Sequence, residues 1–90
     1  MDFEWDPDKA PRNLAKHGVA FPEAATVFGD PLAFTFYDPE HSEEEGRFLT
    51  FGHLADGRVV VISHTDRSDR IRIISARAAT RRERKSYEEG

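Results

Sequence analysis

Ninety residues and 10.3 kDa support a single domain, 1–90, with one modest core, because a chain of this size buries only about 60–65% of the surface its unfolded form exposes. Thirteen Lys and Arg against seventeen Asp and Glu give a formal charge of −4 and a pI near 5.5, opposite to the basic excess usual in domains that meet phosphates. Cysteine is absent, which excludes disulfides and thiolate zinc sites, and the longest apolar run, Val59-Val60-Val61-Ile62, is far short of the ~18–20 residues of a membrane span.

Met1-Asp2-Phe3-Glu4 has neither the positive start nor the apolar run of a signal peptide, so a cytoplasmic location with no membrane partner is expected. Phe3-Glu4-Trp5 alternates like a short strand. Asp6-Pro7 then offers a cap and a first-turn proline for a helix over residues 7–17 that stops at Gly18. Pro11 lies too deep for that span, so the helix either begins later or kinks there. A second helix over 22–28 groups Ala24, Val27 and Phe28 before Gly29-Asp30-Pro31.

From Leu32 the period becomes two. Residues 32–37, 47–53, 58–65 and 70–76 read as strands, and the last two connections are short enough for hairpins. Residues 38–45, rich in acid and without hydrophobic period, read as a solvated loop. With 47 opposite 64 and 65 opposite 70, one sheet face collects Leu49, Phe51, Val60, Ile62, Ile71 and Ile73. Arg47 and His64 mark one end of that face, Arg58 and Arg77 the other. The helices of the first half are expected to cover it. The other face collects Thr50, Val59, Val61, Ser63, Thr65, Arg70, Arg72 and Ile74, a mixture suited to a polar ligand or a partner chain. A last helix over 79–88 opens on Thr80-Arg81-Arg82-Glu83, a capping-box pattern.

Charge is unevenly distributed. Residues 1–46 hold eleven acids against three bases, a net of −8, and residues 47–90 hold ten bases against six acids, a net of +4. Arg77, Arg81, Arg82, Arg84 and Lys85, joined by Arg70 and Arg72, form a basic cluster that either grips phosphate or is a solvated helix face paired with Glu83, Glu88 and Glu89. The four histidines have no ligand spacing, so no metal is expected, and Asp66 and Asp69 read as turn residues. Phosphodiester chemistry without a metal points to RNA, whose 2′-hydroxyl attacks its own phosphate. The candidate proton-transfer groups are His64, opposite Arg47; His17, which follows Lys16 at a helix end and also suits a structural role; and Glu83, which the capping box already engages. Tyr87 either stacks on a base or packs. The serines, Ser42 among them, lack a nucleophile elbow, and no glycine cluster cradles phosphate.

Phe3-Glu4-Trp5-Asp6, Lys9, Asn13, Lys16-His17-Gly18-Val19, Phe21 and the run from Glu23 to Pro31 together resemble the BrnT toxins. The second half agrees through Arg47-Phe48-Leu49-Thr50, His64-Thr65, the run from Arg70 to Arg77, Ala79-Thr80, Glu83 and Tyr87. Pro11 departs from the pattern, as does Ala20 where a capping serine or threonine belongs. The resemblance implies a type II toxin with a RelE-like α+β fold: a small antiparallel β-sheet packed against two N-terminal helices, with a C-terminal helix. It also implies a ribonuclease that arrests translation, neutralised by a BrnA-like ribbon-helix-helix antitoxin through which alone it would meet operator DNA. On this resemblance Arg72 and Arg77 stabilise charge, Arg47, Arg70 and Arg81 are flanking phosphate contacts, and Lys16 and His17 fall within a family motif. The expected activity is endoribonucleolytic, with no metal and no cofactor. The alternative is a non-catalytic binding module acting as corepressor.

Overall fold

The structure, a computed structural model, describes residues 1–41 and 45–89. In chain order it comprises β1 (Asp2–Trp5), α1 (Lys9–His17), α2 (Phe21–Ala25) continued by a 3₁₀ turn (Thr26–Gly29), β2 (Phe34–Tyr37), a 3₁₀ turn (Pro39–His41), β3 (Phe48–His53), β4 (Val59–Arg67), β5 (Arg70–Ala78) and α3 (Arg81–Glu89). The strands form one sheet in the order β1-β5-β4-β3-β2. Because β1 runs parallel to β5 while the other pairs are antiparallel, the sheet is mixed rather than purely antiparallel. Residues 42–44 of the acidic loop, Ser42 included, lie outside the described residues. No helix among the described residues is long and apolar enough to cross a membrane.

The helix over 7–17 begins later than Pro7. Asp6 accepts the amides of Lys9 and Ala10 on its carbonyl and that of Asp8 on Oδ1, so α1 starts at Lys9 and Pro11 falls in its first turn, where the missing N–H has no intrahelical partner to lose. Gly18 ends α1 at φ 72° and donates to the Leu14 carbonyl, the left-handed cap a glycine supplies without strain. The inward side of α1 carries Asn13 rather than Leu14, which is 49% exposed. Val19, Phe21, Ala24 and Val27 cover Val60, Ile62, Ile73 and Ala76 on one sheet face.

Two register differences redistribute side chains between the faces. Phe48, not Arg47, lies opposite His64, because a three-residue loop, 55–57, closes the hairpin with Gly57 at φ 91° and Leu54 N–H on the Arg58 carbonyl. A one-residue slip turns the whole strand over. Thr50 and Gly52 therefore face the core, and Leu49 and Phe51 face away. The helix dictates this: a Cβ at position 52 would collide with Val27 and sit 3.1 Å from Asp30 Oδ2. In the second hairpin Arg67 lies opposite Arg70 and Thr65 opposite Arg72, a two-residue shift that preserves faces. A register break then pairs Ser63 with Ser75 and His64 with Ile73, leaving Ile74 unmatched. That bulge moves Arg77 from the expected core face to the face of Arg72.

α3 crosses the arginine face at the end where Phe34, Phe51 and Tyr87 stack. The capping box forms: Glu83 N–H donates to Thr80 Oγ1 at 3.1 Å and Thr80 N–H to Glu83 Oε1 at 2.9 Å. A clasp at Asp30 holds the helix, as Tyr87 Oη donates to Asp30 Oδ2 at 2.6 Å and His53 Nδ1 lies 2.9 Å from the same oxygen. Although burial pushes the Asp30 carboxyl up, the Tyr87 hydroxyl and the Leu32 and His53 amides outweigh it and hold the group below its usual value. Burial, then the Asp30 contact, pushes Tyr87 up to about 12. Tyr87 thus packs.

Gly52→Ala is expected to cost about 1–3 kcal/mol, the usual penalty of overpacking. Urea denaturation checks it, with a lower midpoint at unchanged slope as the expected outcome.

Candidate functional site

The arginine face is open where α3 does not cover it. There a cleft of about 460 Å³ is lined by Lys9, Arg47, Arg67, Arg72 and His41, with Thr65 and Ile74 at its floor and Glu40 and Glu45 at its rim. Three structural layers build it. β5 and β4 supply Arg72 and Thr65 as a cross-strand pair, the start of α1 supplies Lys9, and the chain between β2 and β3 supplies His41, Glu45 and Arg47. Thr65 Oγ1 donates to the Gly46 carbonyl at 2.6 Å, tying that connection to the sheet.

Two of the cations, Arg72 and Arg67, are already matched to carboxylates. Arg72 Nη1 lies 2.7 Å from Glu4 Oε2, on the register that sets β1 beside β5. Arg67 meets Glu45 through two hydrogen bonds of 3.0 Å, which raise its pKa together with the Coulombic attraction of Glu45. The four cations of the lining against Glu40, Glu45 and the Glu4 carboxylate beside Arg72 leave a balance of +1.

Arg77 lies on the same face, five residues along β5 from Arg72 and so about 16 Å away at ordinary strand rise. Its guanidinium is bidentate on Glu83, at 2.8 and 3.0 Å. The Arg77 guanidinium first, and then the Thr80 amide and hydroxyl, outweigh the upward push of burial and hold the Glu83 carboxyl down at about 2. An acid this strong is a poor proton acceptor at neutral pH. Its geometry is that of a brace, fixing Arg77 and capping α3 together.

His64 is on the opposite face. It is 3% exposed, packed between Phe28 and Phe48, and shares a 2.7 Å hydrogen bond through Nε2 with Thr50 Oγ1. Its Nδ1 is 3.7 Å from Asp66 Oδ1, beyond hydrogen-bond range. Burial lowers its pKa despite that carboxylate. The structure therefore does not bring His64 together with Arg72 or Arg77. Lys16 and His17 also lie elsewhere, at the end of α1, with Lys16 exposed and His17 half-buried; Lys9, about 10 Å back along that helix, occupies the cleft instead. Arg70 and Arg81 are exposed at the starts of β5 and α3, and Arg47 lines the cleft. Lys9, Arg67 and His41 were missing from the sequence-derived set. Among the described residues no three His, Cys, Asp or Glu side chains converge as a metal site.

Among proteins with curated functions, none matches the chain significantly. In overall fold the chain is similar to the crystal structure of the Brucella abortus ribonuclease toxin BrnT, with a TM-score of 0.69, 23% sequence identity, and coverage of 90% of this chain and 99% of that one. Residues 5–83 match the family described as "Ribonuclease toxin, BrnT, of type II toxin-antitoxin system". With that match spanning most of its length, the chain belongs to the BrnT family of ribonuclease toxins.

Proposed function

We propose that this protein is an endoribonuclease that cuts RNA without a metal ion, arrests translation in the cytoplasm, and is neutralised by a BrnA-like ribbon-helix-helix antitoxin, with operator DNA met only through that partner. The observation that carries the catalytic part is the placement of Arg72 and Arg77 on one sheet face, each held by a carboxylate, with Arg72 inside an open cationic cleft and Arg77 at the edge of α3. Arg72, fixed in this way inside the cleft, stabilises the dianionic phosphorane that forms as the 2′-oxygen attacks, and a fixed donor needs no reorganisation when charge develops. Arg77, further along the same strand, stabilises the charge of the RNA backbone beyond the reacting phosphate. Arg47, Arg67 and Lys9 position the flanking phosphates. Arg70 and Arg81 extend that track beyond the cleft. Glu83 acts through Arg77, since its carboxylate is ionised throughout the working pH range. The RelE-like kinship of the fold is part of the same proposal, as it accounts for basic residues on a sheet and its C-terminal helix.

In EDTA, the wild type is expected to cleave RNA, Arg72→Ala to lose about 10²–10³ in rate, the usual cost of one charge-stabilising donor, and Arg77→Ala to lose less, through weaker hold on the RNA backbone. Gel analysis of a defined RNA checks this. RNA bound but left intact by the wild type would leave only a binding module. For Glu83 the expected outcome concerns acid stability. Its folded pKa of about 2 lies below the ordinary 4.5, so its contribution is complete above pH 4.5 and is lost as the pH falls towards 2. Glu83→Gln should flatten that part of the stability profile and lower cleavage to near the Arg77→Ala level, read by denaturation at pH 3–6 and by the same gel.

A further inference from the structure

We propose that His41 is the proton acceptor of this site and that Asp38 is its positioning residue; the inference rests on the ribonuclease reading above and supplies the step that reading leaves open. The 3₁₀ turn Pro39–His41 folds the imidazole back so that Nδ1 lies 2.8 Å from Asp38 Oδ2. The two groups differ sharply in exposure, 61% for the histidine side chain and 13% for the carboxylate. Asp38 is anchored by its own backbone, whose N–H donates to the Arg47 carbonyl at 2.8 Å.

An ionised carboxylate has no hydrogen to give, so the proton of this hydrogen bond belongs to Nδ1. The neutral ring then carries its lone pair on Nε2, the nitrogen not bonded to Asp38. His41 also lines the cleft that holds Arg72. No other histidine has both features. His64 is buried on the far face with Nε2 engaged by Thr50, His53 is engaged by Tyr87 and Asp30, and His17 sits at the end of α1.

In the resulting step, His41 Nε2 takes the proton of the RNA 2′-hydroxyl and that oxygen forms a bond to the adjacent phosphorus. The bond from phosphorus to the 5′-oxygen breaks, its electron pair stays on the oxygen, and a water molecule protonates it. The hydroxide left by that water takes the proton from the imidazolium. The products are a 2′,3′-cyclic phosphate and a 5′-hydroxyl, with His41 neutral again. Among the described residues, the charged groups of this cleft are Asp38 on the histidine's own turn, Glu40, Glu45 and Arg47 from the same connection, Lys9 from α1, Arg67 and Arg72 from the sheet, and Glu4 beside Arg72.

The test compares wild type, His41→Ala, His41→Gln and Asp38→Asn for cleavage of a short RNA between pH 5 and 9, and for binding of its uncleavable 2′-deoxy analogue. His41 is exposed, so its variants are expected to fold, as circular dichroism would verify. Both His41 variants should lose about 10²–10⁴ in rate with analogue binding within threefold of wild type. The ascending limb of the pH–rate profile should vanish, and added imidazole should partly restore His41→Ala. Asp38→Asn should keep the limb but lower the rate at its plateau, because the ring loses the acceptor that fixes its tautomer and orientation. A folded His41→Ala with wild-type rate and profile overturns the proposal while leaving the ribonuclease reading intact. Loss of binding in proportion to rate, without imidazole rescue, also overturns it. A wild type that cuts no RNA overturns both.

Discussion

The side-chain amide of Asn13 joins the two halves of this molecule at the edge of β5. Pairing with β1 ends at Trp5 and Ile73, yet β5 continues through Ala76, which is fully buried. Asn13 takes the place of the missing strand: Nδ2 donates to the Ala76 carbonyl at 2.9 Å and Oδ1 accepts the Ala76 N–H at 3.2 Å. The second hydrogen on Nδ2 goes to the Val19 carbonyl, just beyond the left-handed turn at Gly18. Only a side chain with both a donor and an acceptor in one plane satisfies all three groups, each of which costs about 1–3 kcal/mol when left buried and unbonded. The seat of α1, the entry to α2 and hence the placement of Lys9 over the cleft all follow from it.

The second constraint is electrostatic. The acidic first half and the basic second half are largely each other's partners, since Glu4 meets Arg72, Glu23 meets Arg58 and Glu45 meets Arg67. These pairs are partly exposed and individually worth little to stability. Their effect is geometric. At Arg72 and Arg67 they hold the guanidinium groups of the cleft in fixed orientations, which is the preorganisation that the proposed charge-stabilising catalysis needs.

Much of this was legible in the sequence. The change of period at Leu32, the glycine stop at Gly18 and the capping box at Thr80 follow from local rules, and the structure obeys them. What escaped was governed by contacts between distant residues. The β3 register depends on Val27 pressing on Gly52, and the displacement of Arg77 onto the face of Arg72 depends on a single unmatched residue, Ile74; neither leaves a mark on the alternation of hydrophobic residues. The parallel seating of β1 is equally invisible in four residues. Arg72 stood out because guanidinium on a strand needs a reason, whereas His41 lay in an acid-rich stretch without period. The spacing of Asp38 and His41 by three was the available signal, and it acquires meaning only once a turn and the Arg72 cleft meet it.

The carboxylates around the cleft also change how net charge bears on RNA binding. A phosphate entering beside Arg72 does not meet a bare cation; it exchanges with, or adds to, the contact made by Glu4. The electrostatic gain is therefore a difference between two anions rather than the full attraction of one, and it is greatest for a group whose charge grows during the reaction. Glu4 competes with a ground-state monoanion on even terms, but not with the doubly charged phosphorane. On the ribonuclease proposal, a site built this way would bind RNA weakly outside its reacting geometry and concentrate its binding energy on the transition state. On the same proposal the formal charge of −4, which at first opposes a nucleic-acid partner, becomes part of the selectivity: the acid half would limit indiscriminate adhesion, while the paired arginines would remain available to the one group that out-competes their carboxylates.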